Sequence, residues 1–422
     1  MMRLSLLLSA MSLLATQPAL AQDEAAPELS RGAALVAANS FAMDRDGDVW
    51  SGAGVARLSS DMDDARYLLI AEPHNMRDVN AFTGWAYNHF SREAGVNRLV
   101  IEQDPVLVSQ LEAMAEVLDR DTFFGFAAQN YFSLHFFTDS ELDLIYDVAR
   151  SDMGGLPNLW GVDRALGVMP SLKVMAEITE DGAEAALVSE ALDMAAAHNG
   201  AIDILSDPQG APQRRFMTQD NAQFDAILEK LAASEQVELA KLAKTLMISR
   251  SNIRDYEIDH GGAAWGYSNN AEREELMKHN LSQHLAGDGD MRSKAIVKMG
   301  GWHVSNGHSP NRLSTLGNAM DGLATLEGSD AVFMTILAVN RPGVSYSITD
   351  NDDYDIFDSV ADPDATVLVD LRALRDDLYA GNIKVEPSVS KMIYGYDYAL
   401  LVGGLSAGGY DRLFTIASQG LQ

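Results

Sequence analysis

Acidic and histidine side chains follow four short apolar runs in this sequence, at the point where each run ends. Because the carboxyl ends of parallel strands meet at one edge of a sheet, we expect these side chains to lie close together. A buried carboxylate needs a partner, since an unpaired buried charge is costly, and histidine is a natural one. The members of this predicted cluster are Glu72, His74, Glu102, Asp163 and His303, with His308 a short way beyond.

The elements that position this cluster follow from the same runs. Residues 66–70 and 98–101 read as short strands, and between them apolar residues recur at helical spacing from Asp78 to Ala94. A strand, a helix and a second strand form a β-α-β unit, whose strands are parallel. We therefore expect Glu72, His74 and Glu102 on one edge of the sheet.

Further strands and a long helical stretch complete the predicted fold. The additional strands are 158–162, 295–299, 332–339, 366–371 and 398–402. About 130 residues that precede the His303 strand are rich in good helix formers. We predict an α/β fold with a mainly parallel sheet, flanking helices and a helical insertion, about 164–290, over the carboxyl edge. Residues 22–422 are expected to form a single domain.

Composition excludes several functions. The chain has 31 Lys and Arg against 61 Asp and Glu, a formal net charge of −30. A polyanion has no electrostatic attraction to phosphate backbones or anionic lipid, so we expect neither nucleic acid nor a membrane as partner. The absence of cysteine excludes disulfides, thiolate metal sites and a cysteine nucleophile.

The first 21 residues indicate export. A positive start at Arg3 precedes an apolar run from Leu4 to Ala15, and 19–21 is a small-x-small cleavage site. The run is shorter than the ~20 residues that a spanning helix needs. We therefore predict a cleaved signal peptide, 1–21, and a periplasmic or secreted protein; an uncleaved anchor is the alternative.

Five segments, in their order along the chain, carry a resemblance to a known superfamily. They resemble the erythromycin-esterase-like and ChaN/Tiki-like proteins, in which one strand ends in Gly-Glu-x-His or Gly-Glu-x-x-His and a second ends in Glu. Here Ala71 stands in place of the glycine. The segments are 68–75, 99–102, 160–163, 273–280 and 298–318.

The resemblance implies a hydrolase that cleaves an ester, lactone or amide in a small-molecule substrate without a covalent intermediate. His74 would be the general base, with Glu72 and Glu102 orienting or charging it, as suits an imidazole beside a carboxylate near neutral pH. His303 would stabilise the oxyanion or hold the opposite side of the substrate. Asp163, Arg273 and His308 would bind substrate.

Two alternatives use the same residues differently. Two histidines and two carboxylates from separate strands suit a Zn, Mn or Fe ion, which would activate water as the resemblance to Tiki-like proteases implies. The resemblance to ChaN also implies haem binding without catalysis, although no residue here marks a haem ligand. The first hypothesis requires no cofactor.

Other motifs carry weaker signals. The stretch 404–408 matches the Gly-x-Ser-x-Gly nucleophile elbow, but no histidine follows Ser406, so we interpret it as a turn. The acidic stretch 44–48 lacks the closing Glu of a calcium loop and is interpreted as a solvated turn. His89 is expected on the surface. The histidines without an assigned role are His135, His198, His260, His279 and His284.

Overall fold

A computed structural model of the chain describes residues 29–135, 138–151, 158–200, 215–258, 266–287, 293–339, 348 and 351–420. The predicted signal peptide, 1–21, lies outside these residues, as does His260. Within the described residues, no helix combines the length and the apolar character needed to cross a membrane.

The described residues form a nine-stranded sheet in the order β2-β1-β8-β9-β7-β3-β6-β4-β5. The six strands from β9 to β5 run parallel, whereas β8, β1 and β2 are joined by antiparallel pairing. The predicted α/β fold with a mainly parallel sheet is therefore confirmed. The strands are β1 (Ser40–Asp46), β2 (Val49–Ser51), β3 (Ala65–Glu72), β4 (Val96–Ile101), β5 (Leu159–Gly161), β6 (Lys294–Gly300), β7 (Asp330–Val339), β8 (Thr366–Asp370) and β9 (Tyr398–Gly403).

The inner strand β3 is buried along its whole length, which explains its nearly continuous apolar sequence. Successive side chains of a strand point to opposite faces. Leu68 and Ile70 accordingly belong to one hydrophobic cluster, and Tyr67, Leu69 and Ala71 to another. Both faces of the sheet are thus covered by helices, and the polar groups concentrate at the strand ends.

Helices connect the strands and fill both layers. Helix α3 joins β3 to β4, as the helical spacing from Asp78 to Ala94 predicts. The helices are α1 (Arg31–Ala38), α2 (Ala53–Met62), α3 (Arg77–Glu93), α4 (Pro105–Val117), α5 (Arg120–Gln129), α6 (Asp139–Ala149), α7 (Met169–Ile178), α8 (Ala183–Gly200), α9 (Ala222–Ala232), α10 (Val237–Ile258), α11 (Ser268–Gly287), α12 (Gly301–Val304), α13 (Leu316–Leu326), α14 (Arg372–Tyr379), α15 (Pro387–Gly395) and α16 (Asp411–Gly420).

Helices α7 to α11 lie in the predicted insertion between β5 and β6. The apolar side chains of α7 to α10 form a third hydrophobic cluster, from Ala165 to Ile253, whereas Met277, Leu281 and Leu285 of α11 belong to one of the two clusters on the sheet. The long crossover also lets β6, late in the chain, pair with both β3 and β4. The single-domain assignment of residues 22–422 stays a prediction.

At the outer strands β1 and β2, the structure differs in detail from the interpretation of the sequence. The acidic stretch 44–48 is a turn only at Gly47 and Asp48, since Asp44 to Asp46 belong to β1. Gly47 has φ +59° in this turn, a conformation that glycine adopts without strain. Hairpin β1–β2 was missed because its strands are short and largely exposed, so they lack a long apolar run.

Gly317 controls how closely α13 approaches α12, the short helix that contains His303. A Cβ at Gly317 would lie 2.7 Å from the carbonyl carbon and oxygen of Val304. We expect Gly317→Ala to lower the free energy of unfolding by about 1–3 kcal/mol, because rigid backbone must move aside. Urea unfolding of the purified protein measures this.

Gly322 of the same helix is the matched control, since a Cβ there would meet nothing within 4 Å. Gly322→Ala should be neutral or stabilising by up to about 1 kcal/mol, as alanine favours helix. Equal effects of the two substitutions would contradict the close approach of α12 and α13.

Candidate active site

His74 and Glu72 form a pair at the carboxyl end of β3. Nδ1 of His74 lies 3.2 Å from Oε1 of Glu72. The side chain of His74 is 24% exposed, whereas that of Glu72 is 4% exposed. The carboxylate is therefore buried behind a histidine that reaches solvent. This is the arrangement expected from the spacing of the two residues.

A buried lysine from β6 lies behind this pair. Nζ of Lys298 is 2.7 Å from Oε2 of Glu72 and 2.7 Å from Oε2 of Glu141 on α6. All three side chains are buried. Sequence reasoning missed Lys298 and Glu141, because a lysine inside an apolar run and an acid on a helix carry no sign of their partners.

Glu102 follows β4 and connects the two halves of the site. Its Oε2 accepts a hydrogen bond of 2.8 Å from the backbone N–H of Gly300, and its Oε1 lies 3.6 Å from Nε2 of His303. A Cβ at Gly300 would lie 2.8 Å from Nε2 of His74. Glu102 therefore binds the backbone of Gly300, which lies against the His74 ring, and its other oxygen faces His303.

Arg273 of α11 binds two carboxylates, those of Asp163 and Glu102. Its Nε donates to Oδ1 of Asp163 at 2.8 Å, and Nη2 donates to Oδ2 of Asp163 at 2.6 Å and also to Oε1 of Glu102. This bidentate contact suits the planar fork of a guanidinium. Asp163 and Arg273, predicted to bind substrate, are thus paired with each other.

His303 is held between Arg273 and Glu274. Nη1 of Arg273 donates to Nε2 of His303 at 3.2 Å, and Nδ1 of His303 lies 2.7 Å from Oε1 of Glu274. Because a guanidinium only donates, Nε2 accepts and the ring proton is on Nδ1. Oε2 of Glu274 in turn accepts from the N–H of Leu316 at 2.8 Å.

His135 belongs to the cluster, although the sequence analysis gave it no role. Its Nδ1 lies 3.2 Å from Oδ2 of Asp163, and its backbone N–H donates to Oε1 of Gln103 at 2.9 Å. It follows a 3-10 turn, Tyr131–Ser133, and not a strand. No strand-end pattern could therefore have identified it.

The surroundings shift the pKa values of the ionisable groups. Burial lowers the pKa of His74, but the hydrogen bond to Glu72 and the charge of Glu102 outweigh it, and the net pKa is raised. Burial raises the pKa of Glu72, and Lys298 and then His74 lower it below its ordinary value. Burial lowers the pKa of His135 to about 4, so this ring is neutral near pH 7.

Glu102 has an unusually acidic carboxyl. Burial raises its pKa, but the positive charge nearby, above all that of Arg273, outweighs burial and lowers it to about 2. Asp163 shifts in the same direction, since Arg273 outweighs burial there too. Both carboxylates are ionised at neutral pH and hold Arg273 between them.

Three of these residues could bind a metal ion. The ligand atoms of Glu102, His135 and Asp163 lie within 4.8 Å of one another, and carboxylate and imidazole suit Zn, Mn or Fe. Arg273 already donates to both carboxylates. A metal ion at this position would therefore replace Arg273 as their counter-ion.

Other predicted residues lie away from the cluster. His308 is exposed in the turn after α12, where its backbone pairs with Ser314, and no contact among the described residues joins it to the site. Its role in substrate binding stays a prediction. In the stretch 404–408, interpreted as a turn, only Gly404 is in a turn, and Ser406 lies in the loop that follows it. His89 is half-buried on α3 and stacks on Trp85, so its expected surface position is only partly right.

Structural comparison identifies the fold. A histidine-to-asparagine variant of the erythromycin esterase EreC, in its open conformation, superposes with a TM-score of 0.56 over 84% of this chain and 94% of that chain, at 13% sequence identity. The fold is that of the erythromycin-esterase-like proteins. This confirms the fold that the resemblance implied.

Two further structures resemble this chain in fold. A protein from Bacillus cereus matches with a TM-score of 0.54 and 14% identity, over 90% of this chain and 98% of its own. A succinoglycan biosynthesis protein gives a TM-score of 0.54 and 12% identity over the same shares. No protein-family model matches the sequence, and no curated protein is significantly similar to it.

Gly300 is required by the position of the His74 ring. Its backbone, φ −55° and ψ 142°, suits any residue, but a Cβ would lie 2.8 Å from Nε2 and 3.0 Å from Cε1 of His74. We expect Gly300→Ala to lower the free energy of unfolding by about 1–3 kcal/mol and to displace the ring. Urea unfolding measures the loss.

The His74→Ala background provides the control for this prediction. With the ring removed, Gly300→Ala should have little effect, so the two substitutions should be strongly non-additive. Additive losses would show that the alanine collides with something other than His74.

Arg273 supplies the positive charge for two buried carboxylates. We expect Arg273→Met to lower the free energy of unfolding by about 3–5 kcal/mol, because Glu102 and Asp163 are left uncompensated. Arg254 is the matched control, since its partners Asp220 and Asp225 are 93% and 35% exposed, and Arg254→Met should change stability by less than about 1 kcal/mol. Chemical denaturation compares the two variants.

The same variant tests the metal alternative. If Glu102, His135 and Asp163 accept a divalent ion once Arg273 is removed, added Zn²⁺ or Mn²⁺ should recover stability in Arg273→Met and not in the control. A variant as stable as the control without metal would contradict the role of Arg273.

Proposed function

We propose that this chain is an exported hydrolase that cleaves an ester, lactone or amide in a small-molecule substrate, without a covalent intermediate. The observation that carries the proposal is the pair at the end of β3: His74 is the most exposed side chain of the cluster, and a buried carboxylate holds its Nδ1. The erythromycin-esterase-like fold supports hydrolysis. The predicted signal peptide supports export.

His74 acts as the general base in this proposal. Glu72 is ionised and accepts a hydrogen bond from the N–H at Nδ1, so the lone pair of the neutral ring is on Nε2. Nε2 takes a proton from water as the water attacks the substrate carbonyl, and returns it to the leaving alcohol or amine when the tetrahedral intermediate collapses and the ester or amide bond breaks. The imidazolium that forms is stabilised by Glu72 and by the nearby charge of Glu102.

Arg273 is the donor best placed to stabilise the developing oxyanion. A guanidinium has five N–H donors, and in the described part of the chain four of them bind Asp163, Glu102 and His303. The fifth, on Nη1, is available to a substrate oxygen. The single N–H of the His303 ring donates to Glu274, so His303 has no donor for the oxyanion. Its Nε2 instead positions Nη1 of Arg273.

A metal-dependent hydrolase is the second candidate function, and the ligand set Glu102, His135 and Asp163 favours it. A bound ion would supply Lewis-acid polarisation of the carbonyl or an activated water. His74 would still provide a base beside it. Elemental analysis of the mature protein, together with assays with and without chelator, separates this candidate from the first.

Removing the base is the direct test of the proposed function. We expect His74→Ala to lower kcat/KM for hydrolysis at least about 10²-fold, the usual contribution of a general base. His89→Ala on α3 is the matched control and should keep activity, because His89 contacts Trp85 and Ser59 and not the cluster. A loss below tenfold in His74→Ala would exclude His74 as the base.

The pH dependence of kcat/KM is a second test of His74 as the general base. The base must be neutral, and the pKa of His74 is raised above 6.5, so kcat/KM should rise with pH through a midpoint above 6.5. In Glu72→Gln this midpoint should move to lower pH, since the anion that raises the pKa is gone. An unchanged midpoint would contradict the assignment.

A further inference from the structure

Lys298 is buried within the sheet, where an apolar residue would be expected. It pairs in register with Ile70 of β3 and Ile101 of β4, both apolar, and it is 2% exposed. Burying an ammonium is costly by several kcal/mol unless it is well paired. Its two ion pairs, to Glu72 and Glu141, meet this condition.

The two oxygens of Glu72 have different partners. Oε2 faces Nζ of Lys298 at 2.7 Å, and Oε1 faces Nδ1 of His74 at 3.2 Å. Lys298 lies on a strand that is hydrogen-bonded on both sides, so its Cα is fixed relative to β3. The lysine therefore determines the rotation of the carboxylate, and the carboxylate determines which ring nitrogen of His74 is protonated.

We propose that Lys298 is a positioning residue of the site: by binding one oxygen of Glu72 it turns the other toward Nδ1 of His74, and so fixes the ring tautomer in which Nε2 is basic. This inference deepens the proposed function and rests on it for its catalytic meaning. The tautomer itself is a property of the protein without substrate, so it is measurable independently.

Glu141 is the second anchor of Nζ. It comes from α6, whose preceding residue Thr138 accepts a hydrogen bond from the N–H of Glu141. The same helix is tied to the loop after β9, since the N–H of Asp139 donates to the carbonyl of Gly409 at 2.8 Å.

The loop after β9 also holds the segment that contains His74. The N–H of Gly408 donates to the carbonyl of Asn75 at 2.7 Å, and the N–H of Arg77 donates to the carbonyl of Ser406 at 2.9 Å. This loop is therefore hydrogen-bonded near both ends of the series of contacts that runs from Glu141 through Lys298 and Glu72 to His74.

The test is the tautomer of His74, read from the ring ¹⁵N shifts in long-range ¹H–¹⁵N spectra. The signals are assigned with His74→Ala, and spectra are recorded at a pH where the ring is neutral. In the unmodified protein and in Lys294→Met we expect the proton on Nδ1. In Lys298→Met we expect a shift toward the Nε2–H tautomer.

Lys294→Met is the matched control because it makes the same substitution at the other end of β6. There the only partner of the amine within the described ranges is the carbonyl of Asp63. If Lys298→Met does not fold, the double variant Lys298→Met/Glu141→Leu removes the buried ion pair in favour of apolar groups. An unchanged Nδ1–H tautomer in the folded variant would overturn the proposal.

Kinetics then separate this inference from the proposed function. On a substrate that the unmodified protein hydrolyses, Lys298→Met should lower kcat by about 10²-fold with little change in KM, as for a misplaced catalytic group. A change of tautomer in a protein that hydrolyses nothing would support the positioning role and reject hydrolysis. Hydrolysis that is unaffected by Lys298→Met would reject the positioning role alone.

Discussion

Compensation of buried negative charge is the constraint on which the site depends. Carboxylates collect at the carboxyl edge of the sheet, and each would be prohibitively costly if left alone in a low-dielectric interior. Two cations, Lys298 and Arg273, each bind two of them. The arrangement is rigid because no carboxylate can move without leaving a cation or a histidine without its partner.

The two cations divide the site into two halves with different chemistry. In the first half, the ammonium of Lys298 keeps Glu72 ionised, and the carboxylates of Glu72 and Glu102 raise the pKa of His74. In the second half, Asp163 and Glu102 orient the guanidinium of Arg273, and Nε2 of His303 accepts a hydrogen bond from it. Glu102 belongs to both halves, since it binds Arg273 and also raises the pKa of His74, so the proposed base and the proposed oxyanion donor share one carboxylate.

The sheet topology makes this sharing possible. Strand β6 pairs with β3 on one side and β4 on the other, so Gly300 lies between the ends that contain Glu72 and Glu102. The glycine allows the His74 ring to lie against the backbone of β6, and its N–H binds Glu102. The insertion that separates β5 from β6 also delivers α11, and with it Arg273 and Glu274.

By itself the sequence determined the parallel strands and the cluster at their ends, because a strand buried on both faces is apolar and its first polar residues mark where it ends. It placed Glu72, His74, Glu102, Asp163 and His303 at one edge. Only the tertiary structure decided their partners. Lys298, Glu141, Glu274 and His135 come from a strand interior, two helices and a turn, where the local pattern is set by packing and does not show which distant charge each side chain will meet.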